Sequence, residues 1–404
     1  MSNLDRYSNG NTQESFVRIE SFIQKRLREE KARLEKELGI EEKPVHHFHK
    51  PIERPFTRSQ RPYTTVLYGG LTWKHEHLVH GALEGLGYNV EYIPTPDKTA
   101  FQLGKEYGNN GQCNPTYFTV GNLVQYLQKL EARGLSKQEI IDKYVFVTAG
   151  ACGPCRFGMY EAEYRLALRN AGFDGFRVIL FQQTGGLDQA DEDAGLEMNM
   201  DFFFGMLNGM NMGDLISDVV YQIRPYEVNK GETDRVLGES MDYLHEVLRK
   251  HKPFKLEGKV GEFLRKFPKV AGSAEYIGKF LSQLYSDEYT AALREVGDRF
   301  NSIEVDRTRV KPIVKITGEF WAQTTEGDGN FNMFKFLERE GAQVLVEPIG
   351  TWIMYMIHQA KQSLNDRKGL PKNGHDVPGW WRLDQALSKY TDYKKKHAML
   401  TAAE

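Results

Sequence analysis

The sequence predicts an α/β protein: two portions of alternating strand and helix, separated by a helical segment. Three observations carry this. Short β-branched runs ending in glycine recur between amphipathic stretches from Tyr63 onward. The alternation stops from about Gly209 to Asn301, where the pattern is nearly all helical. It returns after residue 306. Strands and helices alternating at this spacing imply parallel β-α-β units and an open sheet covered on both faces.

The elements follow in order. Residues 14–39 read as one charged helix, with Phe16, Ile19, Phe22, Ile23 and Leu27 at helical spacing and Gly39 as its stop. "EEKPVHHFHKPIERPFTRSQRP" has four prolines and no periodicity, so it reads as an extended linker whose "HHFH" at 46–49 is solvated. In the first α/β portion, "TTVLYGG", "NVEYIPT", "YVFVTAG" and "GFRVILFQQ" are strands. "WKHEHLVHGALEGLG", "PTYFTVGNLVQYLQKLEARG" and "MYEAEYRLALRNAG" are helices, with Pro115 in a first turn and Gly87 and Gly172 past helix ends. In the second portion, "KPIVKITGEF" and "AQVLVEPIG" are strands, and "NMFKFLEREG" and "TWIMYMIHQAKQSL" are helices. The domains expected are 1–60 (N-terminal helix and linker), 61–208 (first α/β domain), 209–305 (helical segment) and 306–404 (second α/β portion and tail).

Composition narrows the function classes. The chain has 404 residues, 40% hydrophobic and 27% charged, enough for a sizeable core. A net charge of −2 argues against a broad nucleic-acid surface. No apolar run approaches the about 20 residues of a membrane span, and the first residues lack the apolar core of a signal peptide. A cytoplasmic protein is expected. Three cysteines are too few and odd in number for a disulfide scaffold.

The cysteines are the strongest chemical signal. Cys152 and Cys155, in "TAGACGPCRFGMYE", directly follow the strand "YVFVTAG", at the strand-end edge where parallel sheets bind ligands. The next helix begins around Arg156, and helix N-termini favour thiolates. Cys113 lies in "EYGNNGQCNPTYF", again a loop feeding a helix start. The topology therefore directs all three thiols to one edge. Four readings stand side by side: structural cysteines, a redox dithiol, zinc, and an iron–sulfur cluster with one open iron. Zinc would take a fourth ligand from His75, His77 or His80 on "KHEHLVH".

Two polar loops complete the inventory. "TGEFWAQTTEGDGNFNMF", residues 317–334, follows a strand and precedes a helix. Its Glu319, Gln323, Glu326, Asp328 and Asn330 would line a site, or form a capped loop with Asp328 or Asn330 as the cap. "QQTGGLDQADEDAG", residues 182–195, lacks the Lys-Ser/Thr of a phosphate loop, and no G-x-G-x-x-G is present.

The stretches "YGGLTWKHEHLVHGALEGLGY", "NNGQCNPTYFTVGNLV", "GACGPCRFGMYEAEYRLALRNAGF" and "ITGEFWAQTTEGDGNFNMFKFLEREGAQVLVEPI" together resemble the activase-associated iron–sulfur family. That family is related to 2-hydroxyacyl-CoA dehydratase and benzoyl-CoA reductase subunits and to double-cubane cluster proteins. The similarity spans about residues 60–365, and the Cys-Gly-Pro-Cys-Arg-Phe-Gly block is its most specific part. It implies two flavodoxin-like (Rossmann-like) halves with a cluster between them. It also implies a [4Fe–4S] cluster on Cys113, Cys152 and Cys155. An ATP-hydrolysing activase of the ASKHA type would be a separate chain, since no phosphate-binding loop is present here. Three cysteines are too few for a double-cubane cluster within one subunit, unless sites are shared with a second copy or a related subunit.

The expected activity is therefore that of an iron–sulfur component of an ATP-dependent reductase or dehydratase-like oxidoreductase acting on a small molecule. Arg156 would stabilise the cluster's charge, and Glu319 would transfer a proton. The alternatives are a non-catalytic electron-transfer or scaffold subunit and a zinc-stabilised assembly protein.

Overall fold

The structure is a computed structural model. It describes residues 54–150, 156–182, 186–187, 193–256 and 266–366, with Phe263 and parts of 22–37 and 390–401. Contacts divide the chain into Met1–Ile52 and Glu53–Glu404. In the first unit the described residues of 22–37 are helical, with Phe22, Ile23 and Leu27 exposed. The rest of the expected helix, and "HHFH", lie outside the described residues.

The second unit begins its sheet with β1 (Thr65–Tyr68), followed by α1 (Trp73–Gly85) and β2 (Val90–Tyr92). Three helices then intervene: α2 (Lys98–Tyr107), α3 (Asn114–Ala132) and α4 (Lys137–Lys143). β3 (Tyr144–Gly150), α5 (Tyr160–Asn170), β4 (Arg177–Gln182) and a short β5 (Gly186–Leu187) follow. The sheet order is β2-β1-β3-β4-β5, parallel except for the β4–β5 pair. Val66 pairs with Val90 on one side and Val145 on the other, and Phe146 pairs with Val178.

Successive strand residues point to opposite faces, and here both faces are buried. Leu67, Phe146 and Val178 enter a core with Leu123, Leu127, Tyr164 and Leu168 of α3 and α5. Their neighbours Val66, Val145 and Ile179 join Val79 and Leu83 of α1 on the other side. The strands therefore read as continuous apolar runs rather than alternating ones.

The helical segment comprises α6 (Met200–Ile223), α7 (Glu232–Lys250), α8 (Pro268–Tyr285) and α9 (Glu288–Asn301). It starts earlier than the sequence pattern suggested. The reason is the run Gly205, Gly209, Gly213, which reads as a breaker but is a contact face. A Cβ at 209 would lie 3.1 Å from the Val79 backbone nitrogen, and one at 213 would lie 2.5 Å from the His75 ring. α7 approaches α1 just as closely: Cβ atoms at Gly81 and Gly85 would sit 2.6 and 2.7 Å from the carbonyl oxygens of His245 and Arg249. α1 is thus held between two helices by glycine contacts.

The second α/β portion has β6 (Ile313–Ile316), α10 (Phe320–Thr324), α11 (Met333–Arg339), β7 (Gln343–Val346) and α12 (Ile349–Asp366). β6 and β7 pair in parallel, with Val314 opposite Val344. Ile316, Phe334 and Val344 form a small core with Tyr221 of α6. The molecule is thus mixed α/β and mostly helical, with four parallel strands in one sheet and two in another. No helix among the described residues is long and apolar enough to cross a membrane.

Candidate functional site

The direction of winding reverses between β1 and β3, and in open parallel sheets ligands bind beyond the strand ends at such a point. Beyond β1 the chain turns through Gly69 and Gly70. Gly70 has φ +111°, a conformation side chains disfavour. The N–H groups of Gly70 and Leu71 donate to Glu76 Oε1 at 2.8 and 3.1 Å, which fixes the turn against the first turn of α1. Glu76 is 2% exposed. Burial pushes its carboxyl up to about 8, and the Glu326 charge adds to this against the two N–H groups.

Cys113 is the N-cap residue of α3. Its Sγ lies 3.0 Å from Thr116 Oγ1 and 3.5 Å from Tyr160 Oη. Burial pushes the thiol up, but contacts with the Thr116 hydroxyl, the Tyr160 hydroxyl and the Thr116 N–H outweigh it. The net effect holds the thiol below its ordinary value, although the charge of Glu319 opposes this. The loop before Cys113 is braced by the buried Glu163 of α5. Its carboxylate accepts from Asn109 N (3.1 Å), Asn109 Nδ2 (2.7 Å) and Gln112 Nε2 (3.1 Å). A helix opening beyond β3 therefore positions a thiol carried by a different connection. Tyr160 stands five positions after Cys155 in the chain. Cys152 and Cys155 lie outside the described residues. The Arg156 backbone starts a 3-10 turn, Arg156–Met159, that leads into α5.

The polar loop of the second portion lies against the same edge. Trp321 stacks on Phe118 of α3 at 6.3 Å and donates its indole N–H to Gly329 O. Asp328 Oδ2 accepts from Lys98 N at 3.0 Å. It thus caps α2 rather than the helix after it, and Asn330 Nδ2 instead donates to Thr325 O at 2.7 Å. Neither residue caps α11, whose N-cap residue is Asn332. Glu319 is exposed at the start of α10 and near enough to Cys113 for its charge to act on the thiol.

Glu326 pairs with the head of α1. Its Oε1 lies 2.5 Å from Lys74 Nζ and accepts from Tyr221 Oη at 3.2 Å. Burial raises the Glu326 carboxyl, and the Lys74 charge and hydrogen bonds more than offset it, leaving the group below its ordinary value. The sequence offered no local signal for this ion pair, because its partners are 252 positions apart.

His75 does not face the thiol. Its Nδ1 lies 2.6 Å from Thr72 Oγ1 and its Nε2 lies 3.0 Å from Asp214 Oδ1. Asp214 also accepts from Ile349 N and Gly350 N, both at 2.7 Å. A hydroxyl, an imidazole and a carboxylate in line resemble a proton relay, but both Asp214 oxygens hold the first turn of α12. The arrangement fastens α1, α6 and α12 together beside a cleft lined by Tyr221, Gln323 and Pro348. His77 and His80 point instead toward His245 of α7.

Against family models, curated proteins and solved structures, the chain gives no match.

Proposed function

We propose that the chain is the iron–sulfur component of an ATP-dependent, low-potential reductase or 2-hydroxyacyl-CoA dehydratase-like system, receiving electrons from a separate ATP-hydrolysing activase. Cys113, Cys152 and Cys155 would hold a [4Fe–4S] cluster. The observation that carries this reading is the placement of Cys113. A thiol held toward its thiolate form caps the start of α3, with its sulfur 3.5 Å from the hydroxyl of Tyr160, the first residue of the helix that follows Cys152 and Cys155 in the chain. Thiolate is the form that binds iron, so the donor chemistry suits such a cluster. When bound, the cluster supplies one-electron transfer at low potential.

The protein's own contribution is positioning and tuning. Glu163 braces the loop before Cys113, and the hydroxyls of Thr116 and Tyr160 lie against its sulfur, where hydrogen bonds tune a cluster's potential. Glu319, across the edge, is assigned proton transfer, and Arg156 is assigned to neutralising charge. The strand order β2-β1-β3-β4 follows flavodoxin-like winding, which supports a flavodoxin-like reading of the first half, while the second contributes two parallel strands.

Anaerobically reconstituted protein is expected to hold about four irons per chain. Cys113→Ala, Cys152→Ala and Cys155→Ala should each strip most of the iron. Glu319→Gln should keep the iron and lower activase-dependent turnover. Full iron loading in Cys113→Ala would overturn the three-thiolate assignment.

A further inference from the structure

A second constellation of ligating atoms lies on the flank of α1, built from residues that the cysteine site does not use. His80 and Glu84 stand one helical turn apart on α1, and His245 faces them from α7. The glycine contacts at Gly81 and Gly85 bring the two helix backbones close enough for this short-range meeting.

The three atoms form a nearly regular triangle. His80 Nδ1 is 3.0 Å from His245 Nε2, and Glu84 Oε2 is 3.4 Å from each of them. A tetrahedral zinc ion with bonds of about 2.0–2.1 Å requires ligand-to-ligand edges of about 3.3–3.4 Å. The other ring nitrogen of His80 lies 3.0 Å from the carbonyl oxygen of Val90, at the start of β2. In the neutral ring that nitrogen carries the proton, which leaves Nδ1 with a lone pair facing the other two atoms. A backbone carbonyl fixing the tautomer in this way is the usual support for a metal-bound histidine.

The His77 ring lies 4.6 Å from that of His245 and flanks the cluster. Glu84 supplies the carboxylate of the triangle, Asp242 lies 3.5 Å from His77 Nε2, and Glu246 lies 3.9 Å from His245 Nδ1.

We infer that His80 Nδ1, His245 Nε2 and Glu84 form a binding site for a zinc-like divalent cation. Two imidazoles, one carboxylate and a fourth position for water make up its coordination. The competing arrangement is a simple hydrogen bond from His245 Nε2–H to His80 Nδ1, which would need no ion.

The test uses the full chain, stripped of metal with a chelator, its thiols alkylated so that no cysteine can bind, and then titrated with Co²⁺. One equivalent should bind and give ligand-field absorption of a tetrahedral nitrogen–oxygen site, and Zn²⁺ should displace it. His80→Gln, His245→Gln and Glu84→Gln should each weaken uptake more than about 100-fold, beyond the loss typical of removing an outer-shell partner alone. Circular dichroism identifies any variant that fails to fold, and Glu84→Gln, the smallest change, then carries the comparison. Unchanged uptake in the folded variants, or no uptake by the alkylated parent chain, overturns the site. Because the thiols are blocked, failure here leaves the cluster assignment untouched, and the iron-loading experiment does not depend on these histidines.

Discussion

Helix α1 carries two collections of ionisable groups, and they are solved in opposite ways. At its head, Lys74, His75 and Glu76 are all at most 3% exposed, and each is answered by a group from elsewhere. Lys74 meets Glu326, His75 meets Thr72 and Asp214, and Glu76 receives the N–H groups of Gly70 and Leu71. Along its flank, His77, His80 and Glu84 are only half-buried and face another histidine, His245. The first arrangement closes on itself and fastens the second α/β portion over the sheet edge. The second leaves two imidazole nitrogens and a carboxylate oxygen facing one another, within 3.0–3.4 Å. Buried charge thus serves assembly at one end of the helix, and the flank keeps a cluster of ligating atoms.

The largest effect is expected from opening the head. Lys74→Ala leaves the Glu326 carboxylate with Tyr221 alone. Breaking a buried pair costs about 3–5 kcal/mol, and the lower figure applies here because Glu326 keeps some solvent contact. Urea unfolding measures it. Lys74→Met combined with Glu326→Gln should regain most of the loss, and equal losses in the single and double variants would show that the pair does not fasten the two portions.

A smaller effect should follow at the flank. Gly81→Ala places a methyl group against the His245 carbonyl oxygen. Overpacking of about 1–3 kcal/mol exceeds the helix-propensity gain of up to about 1 kcal/mol. Stability should fall modestly, and metal uptake should fall with it as α7 is pushed away. If uptake survives while stability falls, the close approach is structural and does not set the ligand triangle.

A third substitution tests the head of the helix by pH. Glu76 keeps its proton to about pH 8 in the folded chain, against 4.5 for the ordinary group. Its contribution is therefore complete at pH values below the ordinary one and declines as pH climbs to about 8, by at most about 1.4 kcal/mol per pH unit. Glu76→Gln should flatten that decline, read as unfolding midpoints at about pH 5 and about pH 8. An unaltered slope would mean that the carboxyl is ionised in the folded protein.

The contrast between the two collections also explains what could be read from sequence. β1, β3 and β4 were legible because their apolar runs are continuous, as strands covered on both faces must be, and each ends at a turn or polar segment. α2 has no clear sequence signal, since Gly104 interrupts a short pattern. That glycine is where the Tyr117 backbone of α3 comes up against the helix. The start of α6 is obscured for the same reason, its glycines being contact residues rather than breakers. Cys113 at a helix start was legible from Asn114-Pro115, whereas the Tyr160 hydroxyl against its sulfur was not. The histidines of "KHEHLVH" were visible as ligating residues, but their partner His245 is 165 positions from His80, and only the helix contacts select it. Asp328 capping a helix 230 positions away is another pairing that no local pattern encodes.

The glycine contacts on both sides of α1 have a mechanical consequence. Where backbone meets backbone there is no side chain to change rotamer and absorb a displacement. α1 can slide or roll only if its seams with α6 and α7 open together. Its head and its flank therefore belong to one rigid rod, and the ten helical steps from Lys74 to Glu84 set a separation of about 15 Å. The ion pair at the head and the imidazoles on the flank thus share one support.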